Sequence, residues 1–207
     1  MKRIVLGLMF CTALALSACA DDDGDDVSEA SSDDVVSEAG SMPSAAVVDD
    51  QTPPMGAAAL QAWLDAGMYK GWTAEPEVHP SRAPSPHGFN RIYVNDLLAE
   101  EAQGSGDWPA GVAAVKELYE SMDGEAPIGY AVYLKTADES AGGDNWYWYE
   151  VVPTDHPAPH DENGVVADGM GDNGPAKTIC VGCHVAAGAD AEHTPTVGGR
   201  DQVYTPL

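Results

Sequence analysis

The chain changes its hydrophobic period near residue 91, and that change narrows the fold more than any other feature. Before it, Leu60, Trp63, Leu64, Gly67 and Met68 fall at helical spacing. After it, apolar residues alternate. Residues 112–119 put Val112, Ala114, Lys116 and Leu118 on one face and Ala113, Val115, Glu117 and Tyr119 on the other. Residues 91–95, 128–135 and 145–152 read as strands in the same way. Turn chemistry separates them, at Met122-Asp123-Gly124 and across 141–145, and short turns between successive strands imply antiparallel pairing. The expected class is therefore α+β: a mainly antiparallel sheet with an N-terminal helix and a distinctive C-terminal segment.

The helix is expected from a Thr52 N-cap, through Pro53 and Pro54 in its first turn, to a stop at Gly71. Met68 reads as core filler. Residues 72–87 carry too many prolines for regular structure, 96–103 read as a short helical piece, and 104–111 as a loop. Residues 153–178 read as one long Pro-, Gly- and Asp-rich loop. Asp168, Asp172 and Asn173 within it miss the spacing of a calcium-binding EF-hand.

That loop leads into Cys180-Val181-Gly182-Cys183-His184. Cys-x-x-Cys-His is the attachment signature of a c-type haem. Two thiols about one helical turn apart can each form a thioether with a haem vinyl group, and the adjacent histidine is carried under the iron as its axial ligand. Covalent attachment holds the iron without a large buried pocket. The competing readings are a redox disulfide and half a zinc site. No second Cys or His pair has zinc spacing, and a redox pair belongs at the start of a helix that follows a strand. One haem c, with its iron on His184, is the expected cofactor.

The N-terminus supplies a matching context. Lys2 and Arg3 precede an apolar stretch, 4–16, too short to span a bilayer. It ends in Leu16-Ser17-Ala18-Cys19, which looks like a bacterial lipobox. The expected arrangement is a signal peptide over 1–18, a lipid anchor on Cys19 with an acidic linker to residue 51, and a haem domain over 52–207. Several acyl chains on Cys19 give firm anchoring. The site of action would be the bacterial cell envelope, facing the periplasm or the exterior.

Charge is extreme but uneven. The formal net is −25, and residues 20–50 hold eleven acidic residues and no Lys or Arg, the composition of a disordered, self-repelling tether. Residues 51–207 still carry a net of −16. Nucleic acid is thereby excluded as a partner, and an acidic electron-transfer protein would be steered to a basic redox partner such as another cytochrome.

The motif's position matters as well. Small helical cytochromes c open with it and ligate a later methionine, and here none follows His184. Four strand-like segments also argue against the helical bundle of cytochrome c′. The chain resembles the cytochrome P-460 family, which includes the cytochrome c′-beta proteins. The residues that carry the likeness are His87-Gly88 leading into 91–95, Trp108-Pro-Ala-Gly111, Lys116-Glu117, the strand 146–150, the haem motif, and Asp201-Gln-Val-Tyr204. Their order is the persuasive part. The resemblance implies a mainly β fold, a five-coordinate haem on His184, and reaction with small nitrogen species.

Within the family, a lysine cross-linked to the porphyrin and a distal carboxylate imply hydroxylamine oxidation. An apolar distal side without the cross-link implies nitric oxide or carbon monoxide binding. Lys70, Lys116, Lys135 and Lys177 are the available lysines, and Lys116 is the candidate because an inward lysine on an apolar strand face is costly without a partner. Glu150 and Glu117 are the candidate carboxylates. The alternative is plain electron transfer, with Met122, Met170, His79, His87, His156, His160 or His193 closing the sixth position.

Overall fold

The computed structural model describes residues 49–81, 85–187 and 199–204. The expected signal peptide, Cys19, nearly all of the acidic linker and His193 lie outside the described residues.

α1 spans Ala57–Asp65 and buries Leu60, Trp63 and Leu64. Both of its ends differ from expectation. Thr52 does not cap it. Gly56, at φ 92°, stands at the N-cap with no side-chain bond of its own, and the sheet supplies the cap instead. Asp168 Oδ2 accepts from the Ala57 amide at 2.9 Å, and the Tyr147 hydroxyl accepts from the Gly56 amide at 2.9 Å. The helix stops at Gly67, not Gly71. Gly67 takes a left-handed φ of 67°, which costs a glycine nothing, and a 3₁₀ turn follows over Met68–Gly71.

The proline-rich stretch 72–87 yields two short strands, β1 (Thr73–Ala74) and β2 (His79–Pro80), which both pair with the outer edge of β3 (Phe89–Val94). α2 (Asp96–Glu100) follows, and its N-cap Asn95 accepts from the Leu98 amide at 3.0 Å. β4 (Ala113–Tyr119), β5 (Gly129–Lys135) and β6 (Trp146–Val151) come next. Residues 153–178 are not one loop, because β7 (Val165–Met170) lies inside them and pairs antiparallel with β6. Asp168 and Gly169 hide this strand from its composition. Its entry also depends on Gly164, where a Cβ would meet the Val152 carbonyl oxygen at 2.1 Å.

The described strands from β1 to β7 make one antiparallel sheet, with β3-β4-β5-β6-β7 in sequential order. Each face has its own core. One carries Tyr93, Ala113, Val115, Val132, Leu134, Tyr147 and Tyr149 against α1 and Trp72. The other carries Val94, Ala114, Trp146 and Trp148 with Tyr133, and it receives the chain that follows β7. That chain forms a π-helical turn, Ala176–Val181, which runs straight into α3 (Gly182–His184). Two glycines let the turn sit this close. A Cβ on Gly143 would lie 2.7 Å from Val181, and one on Gly171 would lie 2.0 Å from the Gly143 carbonyl oxygen. A small hairpin, β8 (Gly199–Arg200) and β9 (Val203–Tyr204), completes the described chain. Among the described residues no helix is long and apolar enough to cross a membrane.

Candidate functional site

Strand register assembles the site. Ile92, Lys116, Ala131, Glu150 and Ala167 stand side by side across β3 to β7. Two residues along, Val94, Ala114, Tyr133, Trp148 and Gly169 form a parallel row. Alternation puts both rows on the face that packs the Cys180–His184 segment. The sheet thus brings Lys116 and Glu150 to the same face as Cys180 and His184.

Glu117 goes elsewhere. As the sequence neighbour of Lys116 it points to the opposite face, where it is fully buried. Its Oε1 accepts from Tyr69 at 2.5 Å and pairs with Lys70, while Oε2 accepts from Tyr119 at 2.7 Å. Burial alone would raise its pKa, but the hydrogen bonds from Lys70, Tyr69 and Tyr119 win and hold it below the ordinary value. Of the two candidate carboxylates, only Glu150 shares a face with the cysteine–histidine segment.

The His184 ring lies among aromatic rings: Trp148 at 4.7 Å, Tyr204 at 5.6 Å and Tyr133 at 6.3 Å between centroids. Its Nδ1 is 2.7 Å from the Gln202 carbonyl oxygen. A carbonyl only accepts, so Nδ1 carries the proton and Nε2 keeps the lone pair, which is the form that binds a metal. Burial, then the Lys116 charge, push the imidazole pKa down to about 3, so the ring is neutral. No described residue hydrogen-bonds Nε2.

Cys180 and Cys183 are both free thiols and partly buried. Burial, then Glu150 and Cys183, push the Cys180 thiol up to about 12. A redox-active pair shows the reverse, a thiol depressed at a helix N-terminus. Here Cys180 sits late in a helical segment that begins at Ala176. Among the described residues no group of three or more His, Cys, Asp or Glu side chains is placed to hold a metal ion, and Asp168 is committed to α1 and to Tyr147. The thioether reading of the motif fits the donors better than either rival.

A cleft of about 70 Å³ opens at Glu150, lined among others by His87, Leu118, Tyr119, Val152 and His156 but by no residue of the Cys180–His184 segment. Organic ligands fill about 300–1,000 Å³, so the cleft suits a molecule of a few atoms. A porphyrin would be held from the two thiols and the imidazole instead. Two buried polar atoms on this side, Trp148 Nε1 and His87 Nδ1, lack a hydrogen bond among the described residues. Each such orphan calls for an explanation, and Trp63 Nε1 in the opposite core is another. His87 Nδ1 stands 3.6 Å from Glu150 Oε1, an electrostatic contact too long for a hydrogen bond. Burial, then Lys116, hold His87 below the ordinary histidine value against the pull of Glu150. The residues present fit a thioether-linked haem.

The remaining candidates scatter. Met122 is exposed, and Met170 packs with the opposite core. His79 is tied to Glu75 and to the Pro80 carbonyl, and His160 is bonded to the Asp161 carbonyl. Lys135 is fully buried and paired with Asp201 at 2.6 Å, a lysine site that sequence reasoning passed over in favour of Lys116. No protein-family model matches the chain, and no curated protein matches it.

Proposed function

We propose that the protein is an exported, lipid-tethered monohaem c-type cytochrome of the P-460 kind, whose iron reacts with hydroxylamine or nitric oxide. The observation that carries this is the His184 tautomer: Nδ1–H is spent on Gln202, and Nε2 is left open beside two free thiols. When bound, the haem supplies the redox and ligand-binding chemistry. Cys180 and Cys183 would attach it, His184 would ligate iron, and Trp148 and Tyr133 hold the imidazole plane. Lys116 is the candidate for a porphyrin cross-link, and its charge acts on both His87 and His184. Glu150 is the candidate proton acceptor, at the lip of a cleft sized for a few atoms. Net acidity favours a basic redox partner.

A second reading rests on His87. Its Nδ1 is buried, unbonded and on the same side as His184, and closing the sixth iron position with it would leave a pure electron carrier.

The test is an absorption spectrum of the matured protein, oxidised and reduced, with and without nitric oxide. Broad high-spin bands that shift with the gas are expected. A red-shifted Soret band that disappears in Lys116→Ala would mark the cross-linked, enzymatic form. Sharp reduced α and β bands indifferent to the gas would select the electron carrier, and loss of that spectrum in His87→Ala would identify its sixth ligand. Absence of any thioether-haem spectrum overturns both readings.

A further inference from the structure

The Gln202 carbonyl that fixes His184 belongs to a turn held in a left-handed conformation. Asp201 and Gln202 have φ of 43° and 72°, two successive non-glycine residues in the left-handed region. A two-residue hairpin turn calls for positive φ at both positions and favours Asn, Asp and Gly, so Gln202 above all needs its surroundings to hold it there.

Those surroundings are specific. The Asp201 carboxylate Oδ2 accepts from Lys135 Nζ at 2.6 Å and from the Trp108 amide at 2.9 Å. Lys135 and Asp201 side chains are 0% and 6% exposed, so this is a buried pair and not a surface one. Trp108, itself fully buried, returns a bond from Nε1 to the Arg200 carbonyl at 2.8 Å. The Arg200 guanidinium lies 3.8 Å over the Trp108 ring and donates to the carbonyls of Glu101, Gly106 and Asp107. On its other side the hairpin meets the cysteine–histidine segment twice. Gln202 accepts from His184, and the Tyr204 hydroxyl donates to the Cys183 carbonyl at 3.0 Å.

We infer that Lys135, Asp201 and Trp108 form a clamp whose role is to aim the Gln202 carbonyl at His184 Nδ1, which makes Asp201 a positioning residue for the iron ligand. This rests on the reading of His184 as that ligand. An apolar contact would hold the hairpin at less cost than a buried ion pair. What the ion pair adds is direction. It fixes the carbonyl in position and orientation, and a ligand histidine depends on that bond for its tautomer and its basicity.

The test uses the full-length matured protein carrying Asp201→Asn. Trp108 and Lys135 donate to the same carboxylate oxygen, so asparagine keeps an acceptor there but removes the charge that holds Lys135. Two quantities are read: solvent exchange of the His184 Nδ1–H proton by NMR, and the concentration of added imidazole that displaces His184 from the iron. Disturbing a second-layer partner weakens metal binding about 10–100-fold. The half-displacing imidazole concentration should fall by that factor, and Nδ1–H exchange should speed up at least tenfold. Asp138→Asn, which touches only the Ala110 amide of the neighbouring loop, should change neither. If Asp201→Asn does not fold, the double variant Lys135→Met, Asp201→Leu removes both charges together and should show the same two changes. Haem-loaded protein with both readouts within twofold of wild type overturns the clamp and leaves the haem reading standing. Wild-type protein that attaches no haem overturns the haem reading, and the exchange rate alone then decides whether the clamp holds His184.

Discussion

Glu117→Gln separates the two faces of the sheet. Glu117 is buried against Tyr69 and Tyr119, while the Lys70 head that pairs with it remains half exposed. An amide of the same shape keeps one acceptor oxygen but gains two N–H donors, so one tyrosine hydroxyl must turn round and Lys70 returns to water. Charge-assisted bonds contribute about 1.5–3 kcal/mol and neutral ones about 0.5–1.5. The two tyrosine bonds therefore lose about 1 kcal/mol each. The exposed lysine adds less than about 1 kcal/mol. The expected loss is about 2–3 kcal/mol, and at about 2–4 °C per kcal/mol for a domain of this size Tm falls by roughly 5–10 °C at pH 7. Glu117→Leu should cost about 1–3 kcal/mol more, because it leaves the buried Tyr69 hydroxyl without an acceptor.

The pH dependence has a definite sign. The carboxyl of Glu117 titrates below its ordinary 4.5 in the folded state, so its contribution is complete above that value and is lost as pH falls through the lowered one. Lys70 is raised by the same pair even though burial opposes it, so its smaller share is complete below the ordinary lysine value and is lost in strong alkali. Calorimetric scans of wild type and Glu117→Gln from pH 7 downward should show a Tm gap that closes in acid. A gap absent at pH 7, or one that stays constant into acid, would refute this account. If the proposed haem is attached, its spectrum should be unchanged, because Glu117 faces away from His184.

Three further outcomes follow from geometry. Gly171→Ala places a Cβ 2.0 Å from the Gly143 carbonyl and 2.8 Å from Val181. It should lift the Ala176–Val181 turn off the sheet, cost about 1–3 kcal/mol by overpacking, and, on the proposed haem reading, reduce the haem-to-protein ratio read from absorbance. Asp168→Ala removes the acceptor of the Ala57 amide at the start of α1 and the acceptor of the Tyr147 hydroxyl, and should cost about 1–2 kcal/mol in chemical denaturation. Trp148→Leu removes the ring 4.7 Å from His184. It should destabilise by about 2–3 kcal/mol, less than the ~3–5 kcal/mol of truncating an aromatic to alanine, and broaden the His184 resonances.

Much of the fold was legible because alternation survives tertiary packing. The faces assigned to Lys116 and Glu117 by period alone are the faces they occupy, and the strands of 91–152 appear within a residue or two of their expected limits. What failed were features set by partners distant in sequence. Thr52 looks like a cap, but α1 starts where Tyr147 and Asp168 can reach it, from strands that a local window cannot see. β7 reads as loop because Asp168 and Gly169 are poor strand formers, and only pairing with β6 makes them one. The donors Cys180, Cys183 and His184 are proposed from motif chemistry. Gln202 was not legible, since it acts through its backbone carbonyl and any residue there supplies one. The available signal was Asp201 itself, an acidic residue in a short tail for which a buried lysine, Lys135, was waiting.

Lys116 and Glu117 show how one strand can serve two purposes. A β-strand presents consecutive residues to opposite faces, so a charged pair in sequence need not be a charged pair in space. Glu117 is satisfied by two tyrosines and a lysine, which makes that cluster a stability element. Lys116 faces a row that includes Glu150 and lies near two histidines whose pKa values its charge depresses. That face keeps unbonded polar atoms at Trp148 and His87. The opposite core has an orphan as well, at Trp63 Nε1, so unbonded atoms alone do not choose a face. The proposed chemistry goes to the Lys116 side because Glu150, His87, Cys180 and His184 are gathered there.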